Sequence, residues 1–88
     1  MGDAFFGILY LANSRGRPRL GMAVAVRTVG NAARRNRIRR IVRESFRLHQ
    51  HELPAVDVIV NARAAARDAD NDKLFASLKR LWGQIRIP

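Results

Sequence analysis

The segment of residues 32–51 constrains the fold of this chain more than any other feature, because its apolar and basic residues separate when it is wound into a helix. At roughly 100° per residue, one group falls within an arc of roughly 160°: Ile38, Ile41, Val42, Ser45, Phe46, Leu48 and His49. The opposite arc, of roughly 100°, holds Asn36 and a group of arginines: Arg39, Arg40, Arg43 and Arg47. A helix patterned in this way buries one face against a second layer and exposes the other.

The other periodic segments predict three strands and a second helix. Apolar runs or alternation indicate strands at residues 4–12, 19–27 and 55–62. The turn of residues 13–18, rich in Asn, Ser, Gly and Pro, favours an antiparallel hairpin between the first two strands. Asn31 is the expected N-cap of the first helix, and the acidic loop of residues 68–72 is expected to cap a final helix at residues 71–84.

The element order β-β-α-β-α predicts a single α+β domain over residues 1–88, an α-β sandwich in which a small mixed sheet packs with two helices. The first helix joins two strands of this sheet as a crossover, so the strands at residues 19–27 and 55–62 are expected to be parallel. The first strand is continuous in apolar residues and is expected to be partly covered on both faces.

Charge limits the classes of function. The chain has 17 Lys and Arg against 7 Asp and Glu, which gives a net charge of +10, and all of the basic residues except Lys73 and Lys79 are Arg. The guanidinium group binds phosphate bidentately and stacks on bases, which an ammonium group does not. So large a charge opposes compaction of a small domain and favours a polyanionic partner. The absence of cysteine excludes a disulfide framework, thiolate zinc sites and thiol catalysis.

Residues 34–47 concentrate this charge, because seven of these fourteen positions are Arg and only Glu44 is acidic. One row at i, i+4 spacing consists only of arginines: Arg35, Arg39, Arg43 and Arg47. Like charges at this spacing repel each other, and phosphates placed opposite them would turn the repulsion into charge-assisted hydrogen bonds. The alternative is a solvated face that keeps the protein soluble, but such faces usually mix signs. The pattern favours a polyanion-binding helix.

A second candidate surface is the small-residue face of the strand at residues 19–27. Together with aromatic side chains of the first strand it could form a shallow groove lined by Gly21, Ala23, Ala25, Arg27, Tyr10 and Phe5 or Phe6. Single-stranded nucleic acid binds in such grooves, where rings stack on bases and cations follow the backbone. The alternative is that these residues are small because a helix packs closely on them, and the sequence leaves both interpretations open.

No set of residues suggests catalysis or metal binding. The acids are scattered apart from the three aspartates of residues 68–72, and the serines have no histidine at a suitable spacing. The aspartates lack the glycine and the bidentate glutamate of a calcium loop, so helix capping explains them better. His49 and His51 lie near a helix C-terminus, where the helix dipole favours them. Trp82 is expected in the core with the apolar stripe of the final helix.

The run from Arg35 to Arg47, R-N-R-I-R-R-I-V-R-E-S-F-R, resembles the signature of the bacterial ribonuclease P protein subunit. The segments before it, Arg19-Leu20-Gly21 with the alternating strand and Gly30-Asn31-Ala32, are similar to the approach to that signature. The resemblance continues through residues 53–60 and the helix of residues 74–82, and it therefore covers nearly the whole chain.

The resemblance implies a holoenzyme that removes the 5′ leader of precursor tRNA, in which the RNA subunit and its magnesium ions perform the hydrolysis. The protein itself would bind no cofactor and supply no catalytic residue. It would bind ribonuclease P RNA through its Arg-Asn-Arg region and hold the leader in a cleft between helix and sheet. The family fold has a left-handed βαβ crossover, although crossovers are generally right-handed.

The basic pattern and the resemblance together nominate two sets of site residues. The set expected to bind RNA is Arg34, Arg35, Asn36, Arg37, Arg39, Arg40, Arg43 and Arg47. The set expected on the leader-contacting strands is Tyr10, Ala23, Ala25 and Arg27.

Two departures from the family pattern bear on these expectations. Members usually have an N-terminal helix and a first strand before the position of Phe5, and this chain begins too late to contain them. That helix forms part of the leader cleft, and an uncovered edge strand is expected to promote self-association. Thr28 is uncharged in a region where the family often has lysines.

Residues 4–12 are too short an apolar run to span a bilayer and lack a preceding basic segment, so a cytoplasmic protein without a membrane partner is expected. On the residues alone, a general RNA- or ribosome-binding module with no processing role stays open, because it would share the basic helix. A stand-alone nuclease would need carboxylates to hold its metal ions. A helix lying on an anionic membrane would withdraw its apolar side from the core.

Overall fold

The computed structural model describes residues 1–87. Within them lie three strands, β1 (Phe6–Ala12), β2 (Arg19–Ala23) and β3 (Val56–Ala62), and three α-helices, α1 (Val26–Val29), α2 (Ala32–His49) and α3 (Asn71–Trp82). Two 3₁₀ turns, Gln50–Glu52 and Ala64–Arg67, follow α2 and β3. The sheet order is β1-β3-β2, and β3 is antiparallel to β1 and parallel to β2. The predicted α+β class, the mixed sheet and the parallel pair flanking the long helix are confirmed.

The predicted antiparallel hairpin between β1 and β2 is wrong, because β3 lies between them. The turn of residues 13–18 therefore crosses two inter-strand spacings of about 4.8 Å each. Asp57 of β3 holds the crossing in place, since its carboxylate accepts hydrogen bonds from the Asn13 side chain at 2.9 Å and from the Arg19 guanidinium at 2.7 Å. The central position suits β3 because its alternate residues Val56, Val58 and Val60 are fully buried.

The second predicted strand is too long. β2 ends at Ala23, Ala25 is the N-cap of α1, and Arg27 lies inside this short helix. The chain then turns at Gly30, whose φ of +109° is a conformation that side chains disfavour and glycine adopts freely. This turn redirects the backbone from the edge of the sheet into α2.

The helices α2 and α3 cover one face of the sheet and form the core with it. Large buried side chains come from β1, β3, α2 and α3: Phe6, Ile8, Ile38, Val42, Val56, Val58, Val60, Leu74, Leu78, Leu81 and Trp82. The indole N–H of Trp82 donates to the buried hydroxyl of Ser45 at 2.8 Å, and Phe46 packs edge-on against the indole with ring centroids 5.9 Å apart. The predicted core position of Trp82 is confirmed. Leu48, which the helical period places on the apolar side of α2, is 49% exposed.

The predicted helix caps are confirmed. The Asn31 side chain accepts a hydrogen bond from the backbone N–H of Arg34 at the start of α2. The Asp70 side chain accepts one from the backbone N–H of Lys73 at the start of α3, which explains one of the three aspartates of residues 68–72.

The N-terminal residues turn back onto the outer edge of β1. The backbone of Met1 exchanges hydrogen bonds with Ile8, and Gly2 pairs with Gly7. Asp3 fastens this turn, because its carboxylate accepts hydrogen bonds from the Ser77 hydroxyl and from the Arg80 guanidinium at 2.8 Å. None of the helices within residues 1–87 is long and apolar enough to cross a membrane.

Replacing Ser45 with alanine should leave the buried indole N–H of Trp82 without its acceptor. An unsatisfied buried donor costs about 1–3 kcal/mol, so we expect the free energy of unfolding in urea to fall by about this amount. Ser14→Ala, at an exposed position in the turn after β1, is the matched control and should change it by less than about 0.5 kcal/mol. Equal stability of the two variants, measured by circular dichroism, would contradict the role of Ser45.

Hydrogen bonds from Arg19 and then from Asn13 lower the pKa of Asp57 from its ordinary value of 3.8 to about 2. The pKa of Asp57 is therefore lower in the folded chain than in the unfolded chain, and this difference stabilises the fold. The stabilisation is fully present above pH 3.8, the pKa of the unfolded state, and is lost as the pH falls through the folded pKa of about 2. In an NMR titration, Arg19→Gln should raise the midpoint of the Asp57 carboxyl carbon toward 3.8. Arg17→Gln, in the same turn, should leave the midpoint unchanged, and an unchanged midpoint in Arg19→Gln would rule out the ion pair.

Candidate nucleic-acid interface

The side of α2 that faces away from the core is a continuous basic surface. Asn36, Arg40 and Arg43 are exposed and Arg39 is half-buried, while the opposite side of the helix is buried against the sheet and α3. The arrangement follows from a period of 3.6 residues, which puts the arginines of this arc on one face. The structure therefore places these residues as the periodicity predicts, and their contact with RNA stays a prediction.

Most of this charge has no acidic partner within residues 1–87. The one ion pair that the α2 arginines form there joins Arg47 to Glu44 at 2.5 Å, and this hydrogen-bonded partner lowers the pKa of Glu44. Arg39, Arg40 and Arg43 form none in the same part of the chain. Exposed guanidinium groups without carboxylate partners are free to bind phosphate.

The arginines near the start of α2 differ in how far their guanidinium groups are accessible to solvent, which the sequence does not show. Arg34 lies over Gly30, with its Cδ atom 3.3 Å from the position that a Cβ on this glycine would occupy. Arg35 is half-buried, and its Nε atom is shielded from solvent without a hydrogen-bond partner among residues 1–87. Only the outer end of that side chain can reach a ligand.

Arg37 is turned toward the loop that precedes α3. Its Nη1 atom donates to the Asn71 side chain at 2.5 Å. Its Nη2 atom faces three backbone carbonyls, those of Ala69 at 2.9 Å, Arg67 at 3.3 Å and Ala66 at 3.5 Å. The guanidinium group thus fastens residues 66–71 to α2, so the second arginine of the Arg-Asn-Arg motif makes its hydrogen bonds within the protein.

The residues expected on the leader-contacting strands do not form one surface. Tyr10 lies on the helix-covered face of the sheet and packs against the core, whereas Ala23 is exposed on the opposite face beside Asn61. Ala25 and Arg27 belong to the N-cap and body of α1, so their predicted strand positions are wrong. The sequence did not distinguish the faces of β1, because its apolar run does not alternate.

A shallow depression of about 350 Å³ lies where β2 and β3 end. It is lined by Ala23, Val24, Ala25, Thr28, Asn61 and Ala62. The structure therefore brings Ala23 and Ala25 together and adds Thr28 and Asn61, which the sequence analysis did not nominate. The signal for Asn61 was its alternation with the buried Val58 and Val60, which places its side chain on the open face.

The face of the sheet away from the helices is open along its length. Leu9, Leu11 and Ile59 are 63%, 75% and 46% exposed on it. At one end the Arg63 guanidinium lies over Gly7, 3.1 Å from the position of a Cβ there, and at the other end lies the ion pair of Arg19 with Asp57. Helix packing therefore does not explain the small residues of β2, since Ala23 is exposed on this face.

Comparison with known proteins agrees with the fold and with the basic motif. The family model described as Ribonuclease P matches residues 1–86. The ribonuclease P protein components of Escherichia coli O139:H28 (strain E24377A / ETEC) and Salmonella newport (strain SL254) are both 52% identical over 75 residues. Each alignment covers 85% of this chain and 63% of the relative, so the chain spans less than two thirds of the length of these curated relatives.

Solved structures show the same architecture. The RNase P protein from Thermotoga maritima, in complex with 1-(4-fluorophenyl)-2-thiourea, superimposes with a TM-score of 0.89 at 30% identity, over 98% of this chain and 84% of that one. The Staphylococcus aureus RNase P protein gives a TM-score of 0.85 at 33% identity, over 91% and 73% of the two chains. The strand order, the basic helix α2 and the match over residues 1–86 lead to one conclusion: this chain belongs to the ribonuclease P protein family.

Proposed function

We propose that this protein is the RNA-binding subunit of a ribonuclease P, in which it assists a catalytic RNA in removing the 5′ leader from precursor tRNA. The observation that carries the proposal is the outer face of α2, where Arg39, Arg40 and Arg43 have no acidic partner within residues 1–87. An RNA backbone supplies closely spaced phosphates, and each one that is neutralised releases counterions and strengthens binding.

In this proposal the RNA subunit and its magnesium ions perform the hydrolysis, and the protein contributes no catalytic residue. The contacts of three of the seven acidic side chains support this division. Asp57 binds Arg19 and Asn13, Asp70 caps α3, and Asp3 fastens the N-terminal turn to α3. Carboxylates held in such contacts would have to leave them before they could coordinate a metal ion.

The precursor tRNA leader is proposed to lie along the open face of the sheet. The exposed side chains of Leu9 and Ile59 offer apolar contact to bases, and Arg63 and the exposed Arg27 offer charge near the depression that Ala23 and Ala25 line. Tyr10 lies on the other face and is not part of this surface.

Self-association belongs to the same proposal, together with a cytoplasmic location. Each of the two outer strands has one edge that does not pair with β3. Residues 1–3 cover this edge of β1 beside Phe6–Ile8 and not along the remainder of the strand. The corresponding edge of β2 lies on the other side of the sheet. Unpaired strand edges can accept a strand from a second chain. A net charge of +10 on each copy opposes this pairing unless RNA is present.

The double variant Arg39→Ala, Arg43→Ala should weaken binding to bacterial ribonuclease P RNA and flatten its salt dependence. If each arginine neutralises one phosphate, the slope of log K against log salt should fall in magnitude by about 1.4 to 1.8. Lys73→Ala with Lys79→Ala, which removes the same charge from exposed positions of α3, is the matched control. Affinity and slope unchanged in the α2 variant would show that this face does not bind RNA.

Cleavage of a precursor tRNA by bacterial ribonuclease P RNA at low magnesium should be strongly stimulated by this protein. The expectation follows because the bound protein would hold the leader and screen phosphate repulsion that magnesium otherwise screens. Lack of stimulation with retained tight binding would indicate docking without leader binding. Equal affinity for ribonuclease P RNA and ribosomal RNA in competition would instead favour a general RNA-binding module.

A further inference from the structure

Two arginines from distant parts of the chain converge over Gly30. Arg34 comes from the first turn of α2, and Arg67 comes from the end of the 3₁₀ turn after β3. The position of a Cβ on Gly30 would lie 3.2 Å from Nη1 and 3.3 Å from Cδ of Arg34, and 3.4 Å from Cδ of Arg67. The two side chains therefore share the space that the glycine leaves open.

The backbone of Arg67 is held in place by Arg37. The Nη2 atom of Arg37 contacts the carbonyl oxygen of Arg67 itself, at 3.3 Å, and that of Ala69, at 2.9 Å. The Nη1 atom donates to the side chain of Asn71, the first residue of α3. The half-buried Arg37 thus fixes the loop from which Arg67 extends, and we assign it to positioning Arg67 beside Arg34 rather than to binding a ligand itself.

The guanidinium group of Arg67 is oriented but only weakly neutralised. Its Nε and Nη2 atoms both donate to one oxygen of the neighbouring Asp68, at 3.3 and 3.1 Å. The two side chains are 44% and 68% exposed, and an ion pair this exposed contributes little. Two cationic side chains packed over one glycine repel each other, and an anion bound between them removes that repulsion.

We propose that Arg34 and Arg67 form a phosphate clamp, in which the two guanidinium groups bind one phosphodiester of an RNA backbone over Gly30, with Arg37 as the positioning residue. This inference rests on the proposed function and extends its RNA-binding surface from α2 onto the loop after β3. Arg67 is not part of the basic helix, and only the folded chain places it beside that helix.

The first test is a double-mutant cycle measured as the affinity for ribonuclease P RNA over a range of salt concentrations. Arg67→Ala should weaken binding and reduce the magnitude of the salt slope by up to about 0.7 to 0.9, the amount expected for one whole phosphate. Because both arginines hold the same phosphate, Arg34→Ala with Arg67→Ala should lose less affinity than the two single losses combined. Additive losses would overturn the shared clamp.

Arg15→Ala is the matched control, because it removes the same charge from an exposed position in the turn between β1 and β2. An Arg67→Ala variant that matches this control in affinity and slope would overturn the proposal. If the Arg39→Ala, Arg43→Ala variant still loses binding in that case, the clamp fails while the proposed function stands. If neither variant affects binding, the proposed function fails as well.

The positioning role of Arg37 is tested in a variant that lacks its hydrogen bonds to residues 66–71. In Arg37→Gln, replacement of Arg67 by alanine should no longer change the salt slope, because the loop no longer holds Arg67 beside Arg34. Circular dichroism verifies that the background variant is folded. A slope change in this background as large as in the wild type would show that Arg37 does not position Arg67.

Discussion

Burial of the apolar side of α2 against the sheet is the interaction on which the other features of the structure depend. Ile38 and Val42 of the helix and Val56, Val58 and Val60 of β3 are almost completely removed from water. Burial of a side chain of this size contributes about 1.5–3 kcal/mol, so the contact fixes which side of α2 can face solvent. The arginines consequently emerge together on the opposite side, and α3 packs beside α2 through the hydrogen bond of Trp82 to Ser45.

The contacts of the acidic residues show why most of the charge on α2 has no acidic partner within residues 1–87. Asp57 connects β2, β3 and the turn before β2, Asp3 holds the N-terminal turn on α3, and Asp70 caps α3. These carboxylates stabilise the connections between elements, and none of them forms an ion pair with Arg39, Arg40 or Arg43. A partner that binds this face more tightly than it binds the unfolded chain adds to a stability that is modest in a domain of this size.

The three residues of the Arg-Asn-Arg motif differ in exposure and in the contacts that they make. Asn36 faces solvent, Arg35 is half-buried with only its outer end accessible, and Arg37 is bonded to the loop before α3. Burial of the apolar side of α2 fixes the exposed arginines relative to the sheet, but it does not fix the loop before α3. Arg37 joins the helix to residues 66–71, so the RNA-binding surface that we propose includes both elements.

The sequence by itself determined the features that depend on neighbouring residues. Helix α2 and its two faces follow from the 3.6-residue period, the caps at Asn31 and Asp70 act within a single turn, and the signature from Arg35 to Arg47 is contiguous. The tertiary structure decided the insertion of β3 between β1 and β2, the placement of Tyr10 and Ala23 on opposite faces of the sheet, and the contacts of Arg37 and Arg67. Those features depend on contacts between residues far apart in the chain, and alternation along a strand specifies its faces but not its neighbours.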